Sequence, residues 1–209
     1  HFGENGAYIH YRDGGHIPRV TYDPKSTITI KGVVQQAPTF ISTVAVGNFV
    51  WDCPGQSANV AVDIRQINGN LSVVHTGAYS VMIAGRTTIA GDFYQMSGTF
   101  RFPASSYTIT INGDMYLLGG ILDLNTQYRS DEDSDDKLAL SGNFMQHPGH
   151  VLTSSTGNHA PVIRFSGEKK QTVQMNGAIT TAGINYKLKN PQGAILTGNI
   201  PIQSGNKNI

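Results

Sequence analysis

Apolar and polar residues alternate in short bursts along the chain. After Gly91 come Phe93-Tyr-Gln-Met96, a turn at Ser97-Gly98, then Thr99-Phe-Arg-Phe102, a break at Pro103 to Ser106, and Tyr107-Thr-Ile-Thr-Ile111. The last run has period two, which places Ile109 and Ile111 on one face. Three β-branched or aromatic runs separated by Gly, Pro, Ser and Asn predict three short strands per unit. No apolar stripe at helical spacing persists for three turns, so no helix is expected.

The unit repeats. Ile89-Ala-Gly-Asp-Phe93 returns as Ile111-Asn-Gly-Asp-Met115 and Leu140-Ser-Gly-Asn-Phe144. Ile67-Asn-Gly-Asn-Leu71 and Ala45-Val-Gly-Asn-Phe49 precede it; Phe165-Ser-Gly-Glu-Lys169 and Leu196-Thr-Gly-Asn-Ile200 follow. The central glycines at 47, 69, 91, 113, 142, 167 and 198 are spaced by 22, 22, 22, 29, 25 and 31 residues. Removing the seven-residue acidic stretch Ser130 to Asp136 restores 22 in the fourth interval, so that stretch reads as an insertion. The same residue types returning at the same phase predict an all-β, right-handed parallel β-helix of about 22 residues per coil. An antiparallel sandwich also has closely spaced strands, but it does not explain the constant phase.

Two stacks are expected from this register. Phe49, Leu71, Phe93, Met115, Phe144 and Ile200, two residues after each glycine, form an inward apolar column. Asn48, Asn70, Asp92, Asp114, Asn143 and Asn199, with Glu168, form a corner ladder. Stacked amides would pass hydrogen bonds from coil to coil. Asp92 and Asp114 would interrupt that run, and the Gly–Asx pairs would suit left-handed backbone angles. Residues 1–40 read as an irregular lead-in or cap, with a first strand in Lys25 to Gly32, and residues 41–209 as the repeat region. The continuing pattern near Ile209 leads us to expect a segment of a longer protein.

Composition narrows the function classes. Charged residues make up 14% and the formal net charge is +1, so no basic field points to nucleic acid. No apolar run reaches the ~20 residues of a membrane-spanning helix, so no membrane insertion is expected, and the single cysteine excludes an internal disulfide.

The chain resembles large secreted β-helix proteins of Bacteroidetes-type bacteria, adhesin-like surface proteins. The resemblance rests on Phe2-Gly3, Tyr8, His10, Gly14-Gly15 and Ile17-Pro18, then Gly47-Asn-Phe49, Trp51, Cys53 and Gly55-Gln56. The recurring Gly-Asn/Asp-Phe pattern with later glycines at Gly98, Gly120 and Gly149 extends it. It implies an extracellular or cell-surface location.

Candidate chemistry is sparse. The acidic insertion supplies Asp131, Asp133, Asp135 and Asp136, carboxylates that could hold Ca²⁺, although it lacks the glycine and closing glutamate of an EF-hand and equally suits a solvated loop tip. No other cofactor is expected. Asp92 and Asp114, one coil apart, have the spacing of a retaining glycosidase pair, with Arg101 and Arg164 available for polysaccharide chemistry; their phase points instead to a structural corner. His147, His150 and His159 could suggest zinc, but a His-Pro-Gly-His turn favours exposed histidines. Cys53 reads as packed and inert. Thr87, Thr88, Thr108 and Thr110 cover too few coils for a regular binding array. Tyr94, Tyr116 and Tyr128 are candidates for sugar stacking. The sequence therefore favours a non-enzymatic structural or adhesive module that contacts glycans, surface polymers, neighbouring β-helix segments or like subunits. A polysaccharide lyase or glycoside hydrolase on the same scaffold is the alternative.

Overall fold

Thr27–Ile30 alternates Thr and Ile, and both isoleucines are fully buried while both threonines are not. The same alternation recurs in successive strands and builds the whole molecule. In the computed structural model, which describes residues 1–105, 107–125, 136–155, 160–180 and 183–198, every strand pairing is parallel and no helix occurs among the described residues. The chain winds as a parallel β-helix of about eight turns with about 22 residues per turn.

The first face is a nine-stranded sheet running from Ala7–His10 through Thr27–Ile30, Asn48–Asp52, Leu71–His75, Phe93–Gln95, Met115–Leu117, Phe144–Gln146 and Gln171–Met175 to Ala194–Gly198. The second face has six strands, from Val60–Val62 to Ala178–Ile179. The third also has six, from Gln66–Ile67 to Asn185–Leu188. The lead-in joins the first face with two full strands, whereas single bridges, Phe2 to Tyr22 and His16 to Thr39, stand elsewhere in its windings.

The inward column on the first face is Ile28, Phe49, Leu71, Phe93, Met115, Phe144 and Val173, each no more than 2% exposed. Burial of each such side chain contributes roughly 2–3 kcal/mol. Near the C-terminal end the register departs from the expected one. Val173 continues the column and Leu196 follows it in register, but Leu196, in the last described strand, is 58% exposed; Ile200 lies outside the described residues. The strand expected directly after Gly167 begins instead at Gln171, so Glu168, Lys169 and Lys170 form an exposed excursion. Gln171 closes its base, accepting from Gly167 N at 3.1 Å and donating to Leu140 O at 3.2 Å. Gly198 ends the last described strand, with φ of 87°.

The corner glycines hold a second correction. Gly47, Gly69, Gly91, Gly113 and Gly142 are not in the left-handed region. A side chain is excluded there because a Cβ at Gly69, Gly91, Gly113 or Gly142 would collide with the ladder side chain of the preceding turn. Left-handed angles belong to the other corner, where Gly98, Gly120 and Gly149 have φ of 74°, 83° and 88°.

Candidate functional site

The Asx ladder is real but is built differently from a stack of amides. Asn48 Oδ1 accepts the Asn70 backbone N–H at 2.9 Å, and Asn70 Oδ1 accepts that of Asp92 at 2.8 Å. Asp92 Oδ1 takes Asp114 N at 2.8 Å, Asp114 Oδ1 takes Asn143 N at 2.7 Å, and Asn143 Oδ1 takes Thr172 N at 2.7 Å. Each link needs only an acceptor oxygen. Asp92 and Asp114 therefore continue the ladder rather than interrupt it, and Thr172, not Glu168, receives its last described bond. Asn199 lies outside the described residues. Replacing Asp92 with Asn should leave stability within about 0.5 kcal/mol, while Ala should cost about 1–2 kcal/mol. Urea unfolding of the two variants checks this; equal losses would remove the acceptor explanation.

The second oxygen of each aspartate serves a tyrosine. Tyr94 and Tyr116 donate their hydroxyls to Asp92 Oδ2 at 2.9 Å and Asp114 Oδ2 at 3.0 Å. Their rings stack with centroids 4.9 Å apart and planes within 5°. That spacing equals one step of the coil, about 4.8 Å. Partial burial and the carboxylate acceptor push the Tyr94 phenol up to about 12, and the same causes raise Tyr116. Both hydroxyls stay protonated and donate throughout the neutral range. Both tyrosines point outward as expected, with Phe93 and Met115 buried beside them. Tyr128 lies outside the described residues.

Neither arginine reaches this pair. Arg101, on the second face, bonds Asp123 Oδ2 through Nε at 3.0 Å. Asp123 also accepts Ser155 N at 2.9 Å and Asn125 N at 3.0 Å. Arg164, on the third face, places Nε 2.6 Å from Asp136 Oδ2, with Lys187 at 3.7 Å from the other oxygen. The Arg164 N–H does not point along that line, so charge rather than a hydrogen bond holds the pair. Asp136, counted above with the calcium candidates, is thus ion-paired at the start of a strand. Asp131, Asp133 and Asp135 lie outside the described residues, among which no group of three metal-ligating side chains occurs.

The histidines separate. His147 is exposed, His159 lies outside the described residues, and His150, expected on the surface, is completely buried. It sits between two glutamines, 3.3 Å from Gln95 Oε1 and 3.3 Å from Gln146 Nε2. Burial drives it down to about 4. It pairs in register with Gly120, and its imidazole reaches back two turns to Gln95. The sequence reading missed these glutamines. Gln56, Gln95 and Gln146 donate to Ser80, Ile121 and Ala178 carbonyls of the next turn, forming an internal corner clamp. Their signal was a polar residue at an inward phase: Phe93-Tyr-Gln95 and Phe144-Met-Gln146 match position for position.

Cys53 is fully buried, 3.4 Å from Ile30 O, and burial raises its thiol to about 11. A maleimide should leave it unlabelled in the native protein at pH 7 and label it once in urea; rapid native labelling would contradict the packing. Of the threonines, Thr88 and Thr110 share an outward column, whereas Thr87 is buried and bonds Ile64 O. A shallow apolar depression lined by Ile17, Tyr22, Phe40 and Val44 marks the lead-in and carries no ionisable cluster. No described helix is long and apolar enough to cross a membrane. No protein-family model matches the chain, and neither a curated protein nor a solved structure matches it.

Proposed function

We propose that the chain is a rigid, non-catalytic adhesive module of an exported bacterial surface protein, with the tyrosine-bearing first face as its glycan contact. The observation that carries this reading is the commitment of Asp92 and Asp114. Each holds one oxygen on a backbone amide and the other on a phenol. A retaining glycosidase needs one carboxylate free as nucleophile and its partner protonated as acid. Here both are scaffold acceptors, and Arg101 and Arg164 neutralise other carboxylates on other faces. What remains at the surface is a half-buried aromatic pair held in one orientation, which suits binding without chemistry.

The test combines a glycan array with lyase and hydrolase assays on the purified chain. Binding without bond cleavage is expected. Release of reducing ends or unsaturated sugars, abolished by Asp92→Asn, would overturn the non-catalytic reading; an empty array would overturn the adhesive one.

A further inference from the structure

The outward column through the tyrosines is uneven in height. It runs Val50, Ser72, Tyr94, Tyr116 and Met145 on consecutive turns. One face of Tyr94 is covered by Tyr116, stacked at 4.9 Å. The other faces Ser72, the shortest side chain of the five, with Val50 beyond it. Two coil steps separate Val50 from Tyr94, about 9.6 Å. A ring held between two carbon surfaces needs roughly 7–8 Å, two contacts of about 3.5–4 Å. The floor of this notch is polar. Ser72 Oγ makes no hydrogen bond among the described residues, and Asn70, two residues earlier, uses its Oδ1 on Asp92 N and leaves Nδ2 without a partner among them. Asp92 Oδ2, bonded so far to the Tyr94 hydroxyl, adds a carboxylate acceptor at the rim.

We infer that the notch over Ser72, between Val50 and the free face of Tyr94, is a subsite for one pyranose ring of a neutral oligosaccharide. The inference rests on the adhesive reading above and names its ligand class. The C–H face of a pyranose offers the apolar plane that the Tyr94 ring accepts. Its hydroxyls are both donors and acceptors, which matches a hydroxyl, an amide N–H₂ and a carboxylate around one small floor. The carboxylate disfavours an acidic sugar, and the nearby cation Lys31 is drawn to Asp52, 3.6 Å away. Tyr94 is already fixed by Asp92 behind and Tyr116 beneath, so little side-chain freedom is lost on binding. Tyr116 is the backing of the platform rather than a second subsite, since Met145 occupies the next position on its far side.

The experiment titrates the whole chain by calorimetry and by NMR of the tyrosine ring protons with cellohexaose, xylohexaose, mannohexaose and oligogalacturonate. At least one neutral hexaose is expected to bind and oligogalacturonate not to bind. Ser72→Met fills the notch with a side chain the same column already accommodates at Met145; it should weaken binding at least tenfold with an unchanged unfolding midpoint. Tyr94→Ala should do the same to binding, and Met145→Ala should leave affinity within twofold. If the wild type binds a hexaose and Ser72→Met binds it equally well, the notch is overturned while the adhesive reading stands. If no hexaose binds to the wild type, the notch is overturned outright. Preferential binding of oligogalacturonate would overturn its neutral specificity.

Discussion

Gly113→Ala should destabilise the protein by about 3 kcal/mol, although it adds a single methyl group to a half-exposed corner. The new Cβ would fall inside contact distance of Asp92 Oδ1, and 2.5 and 2.6 Å from the Gly91 carbonyl oxygen and carbon. Two of these atoms are backbone held in the parallel ladder, where Gly113 N donates to Gly91 O at 3.0 Å. Relief therefore requires separating two turns and stretching the Asp92–Asp114 bond with them. Gly69→Ala differs in a useful way, because its worst contact is the Asn48 side chain and the nearest backbone atom, Pro24 O, lies at 2.8 Å. Adding Asn48→Ala should recover part of the Gly69→Ala loss, whereas Asp92→Ala should recover little of the Gly113→Ala loss. Denaturant unfolding of both double-mutant cycles reads this difference. A Gly113→Ala cost below about 1 kcal/mol would remove the steric account of the repeat's central residue.

Acid should weaken the fold through His150. Gln146 Nε2 also donates to Ala178 O at 3.1 Å, and Gln95 Nε2 to Ile121 O at 2.8 Å, so carbonyls fix the orientation of both amides. The imidazole must then donate from Nε2 to Gln95 Oε1 and accept at Nδ1 from Gln146. A second proton would aim an N–H at an amide N–H₂. Its folded pKa of about 4 lies below the ordinary 6.5, so the unfolded chain takes up the proton first. The stabilisation is complete above pH 6.5 and is lost as pH falls towards 4, to the extent of about 3 kcal/mol. Asp13, held below its usual 3.8 by the amides of Gln36, Val34 and Gln35, acts only in a lower window. Urea midpoints from pH 7 to 4 should therefore fall for the wild type and stay nearly level for His150→Gln. Parallel curves for the two proteins would exclude His150 as the origin of the acid limb.

The interval between glycines and the alternation of Phe93, Gln95 and their equivalents make the winding legible in the sequence alone. A residue at a given phase meets its own counterpart one turn away, so local spacing translates directly into contact. The inner clamp of Gln56, Gln95 and Gln146 stayed hidden, because period-two alternation records which way a side chain points and not what it can bond there. His150 was misplaced for the same reason. A His-Pro-Gly-His turn looks exposed until Gln95, fifty-five residues earlier, is seen to meet the imidazole two turns away. The degenerate coil at Glu168-Lys-Lys170 signalled a departure from the plain repeat but not its form, a strand that starts at Gln171, four residues after the glycine.

By itself, then, the amino-acid order determined the class of fold, the length of a turn and the facing of Tyr94 and Tyr116, because a solenoid stacks nearest neighbours at a constant phase. Tertiary structure alone decided the uses of those side chains: which oxygen of Asp92 meets an amide and which a phenol, why Gly113 has no Cβ, and where a tyrosine face stays open. Those outcomes depend on atoms brought together from adjacent turns within a few ångströms, and phase along a chain carries no information at that scale.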